Sequence, residues 1–420
     1  MNTSFMPHLV SMASAGSRNQ ARHPDPLLGQ VPEIKGKGGK TAGRLRIGLI
    51  TTLNTNIGDD FIRTGVCALL RQVFEGRDLE FVAINKHDPY TAYHWWQPIR
   101  LTRLVEHLPR GKWRVRRWIE SRAAWPASNR FDDCDVIVQC GAPVLWPECH
   151  LCEWAEPLWH GIVGPLHERV PVLNLAAGSC FPWEQQPVAI TDSGDAKYLR
   201  AIHGYCRLTT ARESLTQSLF KGLGCDVPQI PCSALLAAGD ARGTGNDDGL
   251  VLINYMPGGG HYDFDQRVDG QSWHEVIKTL VERLATRHKV AFLCHNEKEA
   301  KAASELAGGI PRLWPKTVAE YFSIVAQAKG GVFNRMHASV ALAGMGIPSV
   351  AIGTDTRLLM VGRLDLPHLY VKEASSQRLE QEIENLLTRR EEERDRLIQL
   401  RQETWQAYLK CMSEALSQVQ

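Results

Sequence analysis

The sequence predicts an α/β protein made of two doubly wound, Rossmann-like domains, and three observations carry that reading. Short apolar runs of strand length alternate with segments of helical period, the pattern of parallel sheets covered by helices. A Gly/Asp/Asn-rich stretch at 237–249 fits neither period and divides the series in two. The stretch 331–352 then reads as strand, short loop, helix, tight turn and second strand.

In chain order, residues 1–44 are rich in Ser, Gly, Pro and Lys and predict a disordered tail. Leu45 to Thr52 reads as a buried strand, followed by a polar loop and a helix from about Gly58 to Phe74. Apolar runs at 79–84, 136–139 and 170–175 predict further strands of an N-terminal domain over 45–236. A second α/β domain over 249–370 opens with a strand at 250–254. A helix at 273–287, a strand at 290–294 and a helix at 298–306 follow. Residues 371–420 form a helical segment whose Leu379, Ile383, Leu386 and Leu387 give an apolar face suited to packing across the domain junction.

Composition narrows the function classes. A formal charge of +2 gives no general case for nucleic-acid binding, so none is expected. The eleven cysteines follow no disulfide framework, which fits a reducing cytoplasm. Cys149 and Cys152 form one C-x-x-C near Cys140 and His150, but a structural zinc site normally needs a second matching pair, so no metal is expected. No apolar run approaches the ~18 to 20 residues that span a bilayer, and the start of the chain is a poor secretory signal.

Four places carry candidate chemistry. Arg335 and His337 stand at a predicted helix entrance, where unpaired N–H groups and the positive dipole end favour a phosphorylated or carboxylated anion. Packing and capping within a buried βαβ unit is the alternative reading. The loop Asn54 to Asp60 follows the first strand and places Asn56, Gly58 and Asp59 at the sheet's carboxyl edge, where open α/β sheets bind ligands. Those residues suit either hydroxyl recognition or simple helix capping. Arg212 lies between a strand end and a helix, apt for bidentate anion recognition or for a surface ion pair with Glu213. His295 ends a strand and suits proton transfer, anion binding or a structural role.

Taken in order, these pieces resemble the polysaccharide pyruvyl transferase family from about Arg46 to Leu366. The matching residues are Asn56 to Asp59, Arg212-Glu213 with nearby serines, His295, and Arg335-x-His337 followed by Gly346-Ile347-Pro348. Departures are Glu213 for Asp, Asn334 for Gly, Gly141-Ala142 for Gly-Gly, and Gly353 to Arg357 for Tyr-Asp-x-Lys. The resemblance implies a glycosyltransferase-B-like fold with two domains facing a cleft. It also implies phosphoenolpyruvate as co-substrate without a further cofactor, and a saccharide or lipid-linked oligosaccharide acceptor that receives a pyruvate ketal. Arg335, His337 and His295 then become the expected catalytic residues, and Arg212, Asn56, Gly58 and Asp59 the substrate-binding ones. A nucleotide-sugar glycosyltransferase of the same fold and a non-catalytic saccharide-binding assembly subunit are the competing readings.

One segment stands apart. From His94 to Trp125 seven Arg and one Lys face two Glu, and five of the twelve tryptophans fall there. Such a segment can fill the first domain's core, stack on sugars, or lay the protein peripherally on the inner membrane face.

Overall fold

The computed structural model of the protein describes residues 44–419 apart from 55, 108–111, 121–124, 127, 245–246 and 263. Of the expected N-terminal tail, only Arg44 is among the described residues, and it opens the first strand.

The first half runs β1 (Arg44–Thr51), α1 (Ile57–Val73), β2 (Asp78–Asn85), α2 (Lys112–Glu120), β3 (Val136–Cys140), β4 (Pro143–Leu145) and β5 (Val172–Ser179). It continues through α3 (Ser193–Tyr205), β6 (Leu208–Ala211) and α4 (Ser214–Gly222). The strands form a parallel sheet in the order β2-β1-β3-β5-β4, with β6 also on β5. Every residue of β3 and β5 is buried, as strands covered on both faces require.

The second half runs β7 (Leu250–Asn254), α5 (Gly270–Ala285), β8 (Lys289–Leu293), α6 (Glu297–Leu306), β9 (Arg312–Leu313) and α7 (Val318–Val325). After these come β10 (Ala328–Phe333), α8 (Met336–Gly344), β11 (Ser349–Gly353) and β12 (His368–Tyr370). Its parallel sheet has the order β12-β11-β10-β7-β8-β9. Helix α7 is absent from the sequence reading, although Thr317 and Glu320 carry its start signal: the Thr317 side chain accepts a hydrogen bond from the Glu320 N–H at 3.1 Å. Strand order reverses between β1 and β3 in one sheet and between β7 and β10 in the other. Such reversals open crevices at the carboxyl ends of the strands, where ligands bind.

Two features join the halves. The turn Ser233–Leu236 packs between α1 and α8. It approaches so closely that a Cβ on Gly65 would lie 1.9 Å from the Ser233 carbonyl oxygen, and one on Gly344 2.2 Å from that of Leu235. Beyond α9 (Ser376–Thr388), the long α10 (Arg390–Leu416) contacts both α1 and α8. There the Tyr408 hydroxyl donates to the Pro231 carbonyl at 3.0 Å, and Arg401 Nη1 donates to those of Gly344 at 2.8 Å and Ala241 at 3.0 Å. One hydrophobic core runs through residues of both sheets, and a second fills the remaining face of the first.

Candidate active site

The loops at the carboxyl ends of β1, β6, β7, β8, β10 and β11 converge between the two sheets. Asn56 caps α1, its Oδ1 accepting from the Gly58 N–H at 3.1 Å. The same oxygen accepts from His295 Nδ1 at 3.3 Å, so a residue after β1 is tied to one after β8 across the cleft. Gly58 lies against His337, where a Cβ would sit 3.1 Å from the His337 Cβ. His337 Nε2 lies 3.3 Å from Arg212 Nη1. Because a guanidinium only donates, that ring nitrogen accepts and the imidazole proton belongs on Nδ1. The structure thus brings Asn56, Gly58, His295, His337 and Arg212 into one chain of contacts, although they come from both domains.

Arg212 is fully buried. Its backbone N–H donates to the Ala177 carbonyl at 2.9 Å, and its side chain passes over Gly178, where a Cβ would fall 2.1 Å from Nε. Only a glycine leaves that path open. The surface ion pair with Glu213 does not form. Glu213 is itself fully buried and caps α4, its carboxylate accepting from the Thr216 N–H at 2.9 Å, the Thr216 hydroxyl and the Ser179 N–H at 3.0 Å. Among the described residues, Arg212 Nε and Nη2 are buried without a hydrogen-bond partner and no salt bridge neutralises the guanidinium.

Arg335 is the N-cap residue of α8, and its own N–H donates to Asn254 Oδ1 at 3.0 Å. Its Nε and Nη2 donate to Glu299 Oε1 at 2.8 and 2.6 Å, and Nη1, the edge that no carboxylate holds, makes a long bond of 3.5 Å to His261 Nδ1. Glu299 escaped the sequence reading. It stands three residues after Asn296 and forms the reciprocal cap of α6, so its local signal is that of an ordinary helix start. Its Oε2 also accepts from the His295 N–H at 2.8 Å and Asn254 Nδ2 at 2.9 Å, so one carboxylate links the ends of β7, β8 and β10. Burial raises the acid's proton affinity, but Arg335 and His295 overcome this and hold its pKa below the usual range.

The departure at Asn334 is a structural replacement. Its side chain accepts from the Met256 N–H at 2.9 Å and donates to the carbonyls of Gly259 at 2.8 Å and Ile352 at 3.2 Å, bracing the loop after β10. Arg357, unassigned from sequence, enters from the loop after β11. It is clamped by Asp355 through bonds of 2.8 and 2.6 Å and lies over the Tyr262 ring at 4.9 Å. Burial and then the charges of Arg212, Arg357, His295 and Arg335 push the His337 pKa well below its ordinary 6.5, so the imidazole is neutral.

Asp59 is half-buried in the first turn of α1 and forms no ion pair among the described residues. It acts electrostatically on Lys86, which is buried just after β2 with its ammonium 4.8 Å from the Trp154 ring centre. Cys149 and Cys152 are buried free thiols. Among the described residues, the group with ligand spacing is instead His150, Asp192 and Asp195, with His150 Nδ1 2.7 Å from Asp195 Oδ1. Asp195 there also accepts from the backbone N–H groups of Glu148 and His150, and Asp192 caps α3.

The polysaccharide pyruvyl transferase family matches this sequence over residues 56–356. The chain belongs to that family. The match takes in Asn56, Arg212, His295, Arg335 and His337 and stops one residue short of Arg357. No curated protein matches the chain. Among solved structures, this family member is similar to a putative UDP-N-acetylglucosamine 2-epimerase from Listeria monocytogenes. The TM-score is 0.50 at 11% identity, over 85% of this chain and 91% of that one. It is likewise similar to another UDP-N-acetylglucosamine 2-epimerase, with a TM-score of 0.50 at 12% identity over 89% of this chain and 96% of that one. At such identity the likeness is one of fold: two parallel-sheet domains of the glycosyltransferase-B kind.

Proposed function

We propose that this pyruvyl transferase family member transfers pyruvate from phosphoenolpyruvate to two hydroxyls of a saccharide, forming a cyclic ketal on an exopolysaccharide or cell-surface glycan. The observation that supports this most is Arg212. A buried guanidinium with two donor nitrogens that meet no partner among the described residues is costly by itself, and an anion is the group that relieves it. Phosphoenolpyruvate carries a phosphate and a carboxylate within one small molecule, matched to Arg212, the Nη1 edge of Arg335 that no carboxylate holds and the nearby Arg357. The scheme takes its positive charge from these arginines and needs no metal ion or further cofactor.

In this reading one acceptor hydroxyl adds to C2 of the enol while C3 takes up a proton. Phosphate then leaves with the C2–O bond pair, and the second hydroxyl closes the ketal. Of the two hydroxyl protons, one is balanced by the C3 methyl and the other by the released phosphate. Asp59, half-buried and without an ion pair among the described residues, has the charge to orient or deprotonate the acceptor. His337, neutral beside Arg212 and Arg357, serves first as a phosphate contact through its Nδ1 proton. A bound trianion raises its proton affinity, which is the condition for a general-acid role. His295 holds Asn56 and the acceptor loop across the cleft. A cytoplasmic location accords with the eleven free thiols.

The test is incubation with phosphoenolpyruvate and a panel of nitrophenyl or lipid-linked saccharides, followed by mass spectrometry and phosphate assay. A pyruvate ketal increment with stoichiometric phosphate supports the proposal. Heat stabilisation by a nucleotide sugar and none by phosphoenolpyruvate would replace it with a glycosyltransferase reading. Saccharide binding without phosphate release would replace it with a binding subunit.

A further inference from the structure

Five of the six large apolar side chains exposed among the described residues fall between Trp95 and Trp118: Trp95 at 82%, Leu101 at 64%, Trp96 at 62%, Trp118 at 58% and Val115 at 39%. They belong to the excursion between β2 and β3, which comprises a loop, the 3₁₀ segment Pro98–His107 and α2. The inner side of this excursion is fastened to the first domain. Arg116 is buried and donates to Glu120 Oε1 at 2.8 Å and to the Glu153 carbonyl, and the Tyr90 hydroxyl donates to Glu120 Oε1 at 2.5 Å. Arg116 and Glu120 define the inner face of α2, and Val115 and Trp118 lie on the opposite one. Trp125 turns inward and stacks on Tyr93 at 6.0 Å. The segment is therefore divided, with some aromatics built into the domain and Trp95, Trp96 and Trp118 displayed to solvent.

The charge that the sequence carries in this excursion points to the partner. Leaving aside the inward pair Arg116 and Glu120, the sequences Pro98–His107 and Lys112–Glu120 hold five basic residues against one acidic one, a net +4, in a chain whose total is only +2. Tryptophan is at home in the headgroup boundary of a bilayer, and Arg and Lys add attraction where that boundary is anionic. We propose that the Trp95–Trp118 surface docks the protein reversibly onto an anionic membrane, with Trp95 and Trp96 entering the headgroup layer. The excursion leaves the carboxyl end of β2, the same sheet edge that carries Asn56 and Asp59. Docking there holds the acceptor side of the cleft beside membrane-bound molecules.

Vesicle flotation tests this on the full chain, without any assumption about the reaction. Vesicles of equal phosphatidylglycerol and phosphatidylcholine are compared with pure phosphatidylcholine, each at low and high salt. Since each basic residue near an anionic leaflet is worth about fivefold in affinity, binding to the anionic vesicles is expected to exceed binding to the neutral ones by about tenfold or more. It should weaken at high salt as the Debye length shortens. The double variant Trp95→Ser/Trp96→Ser should lose most of this binding while keeping the wild-type thermal transition, since both side chains are exposed. Equal flotation with both vesicle types, no flotation with either, or undiminished binding by the double variant would each overturn the proposal. A shift of wild type alone to a dimer, abolished in the double variant and without flotation, would assign the surface to a second copy of the chain.

Discussion

A fully buried arginine with unsatisfied donors makes opposite predictions for stability and for function. Replacing Arg212 by Met removes an uncompensated cation from the interior. The unliganded protein is expected to gain about 1 to 3 kcal/mol in urea unfolding while ketal formation is abolished. Loss of stability together with retained turnover would make Arg212 a packing residue. Gly178→Ala tests the same guanidinium from outside, because its Cβ would sit 2.1 Å from Arg212 Nε and force the side chain from its path. Overpacking of this kind costs about 1 to 3 kcal/mol, and the stabilisation by saturating phosphoenolpyruvate, about 2.7 kcal/mol at ~100 times its dissociation constant, should vanish. His337 supplies the pH dependence. Its folded pKa lies well below the ordinary 6.5, so the unfolded chain binds the proton more readily. Its contribution to stability is therefore present above pH 6.5 and is lost as pH falls below that value. The difference in thermal midpoint between wild type and His337→Asn should narrow steadily from pH 7 to lower pH, and a constant difference would contradict the assignment.

At the scale of elements, the cleft wall of the second domain depends on one carboxylate. Glu299 lies in the first turn of α6, yet it bonds Arg335 at the head of α8 and backbone or side-chain donors at the ends of β7 and β8. With side chains only 5% and 12% exposed, the Glu299–Arg335 pair is a buried one, where removing one partner costs about 3 to 5 kcal/mol. Arg335→Ala should therefore destabilise the protein strongly as well as inactivate it. Glu299→Gln keeps the shape and the acceptor at one of the two oxygens, and is expected to raise KM for phosphoenolpyruvate more than it lowers kcat, because Arg335 loses its fixed orientation before binding. An unchanged KM in a folded Glu299→Gln protein would reduce Glu299 to a helix cap.

For the whole molecule, α10 acts as a clasp that touches both α1 and α8, so the two sheets are expected to unfold as one unit. Arg401, buried and hydrogen-bonded to two carbonyls on the second-domain side, is a suitable probe. Charged hydrogen bonds contribute about 1.5 to 3 kcal/mol, and Arg401→Ala should lower the unfolding free energy by that amount, and the urea midpoint with it, without touching the cleft residues. Two separate transitions in the variant would show that the clasp couples the halves, whereas an unaltered midpoint would show that the turn Ser233–Leu236 suffices.

The sequence by itself determined the alternation of strands and helices and the position of the loops that carry Asn56, Arg212, His295, Arg335 and His337. Those features are local: apolar runs, helix caps and strand ends lie within a dozen residues of each other, and parallel sheets bring strand ends to one edge. The tertiary structure decided which loops meet, because Asn56 and His295 are 239 residues apart and Arg212 and His337 are 125 apart. It also decided which charges are already neutralised. Arg335, Arg357 and Arg212 look alike as residue types, but two are held by Glu299 and Asp355 while Arg212 has none of these acids. Pattern within one strand or helix records which face is buried and not what lies opposite it. For the same reason Arg116 and Trp118, two residues apart on α2, could be sorted into anchor and exposed surface only by the fold.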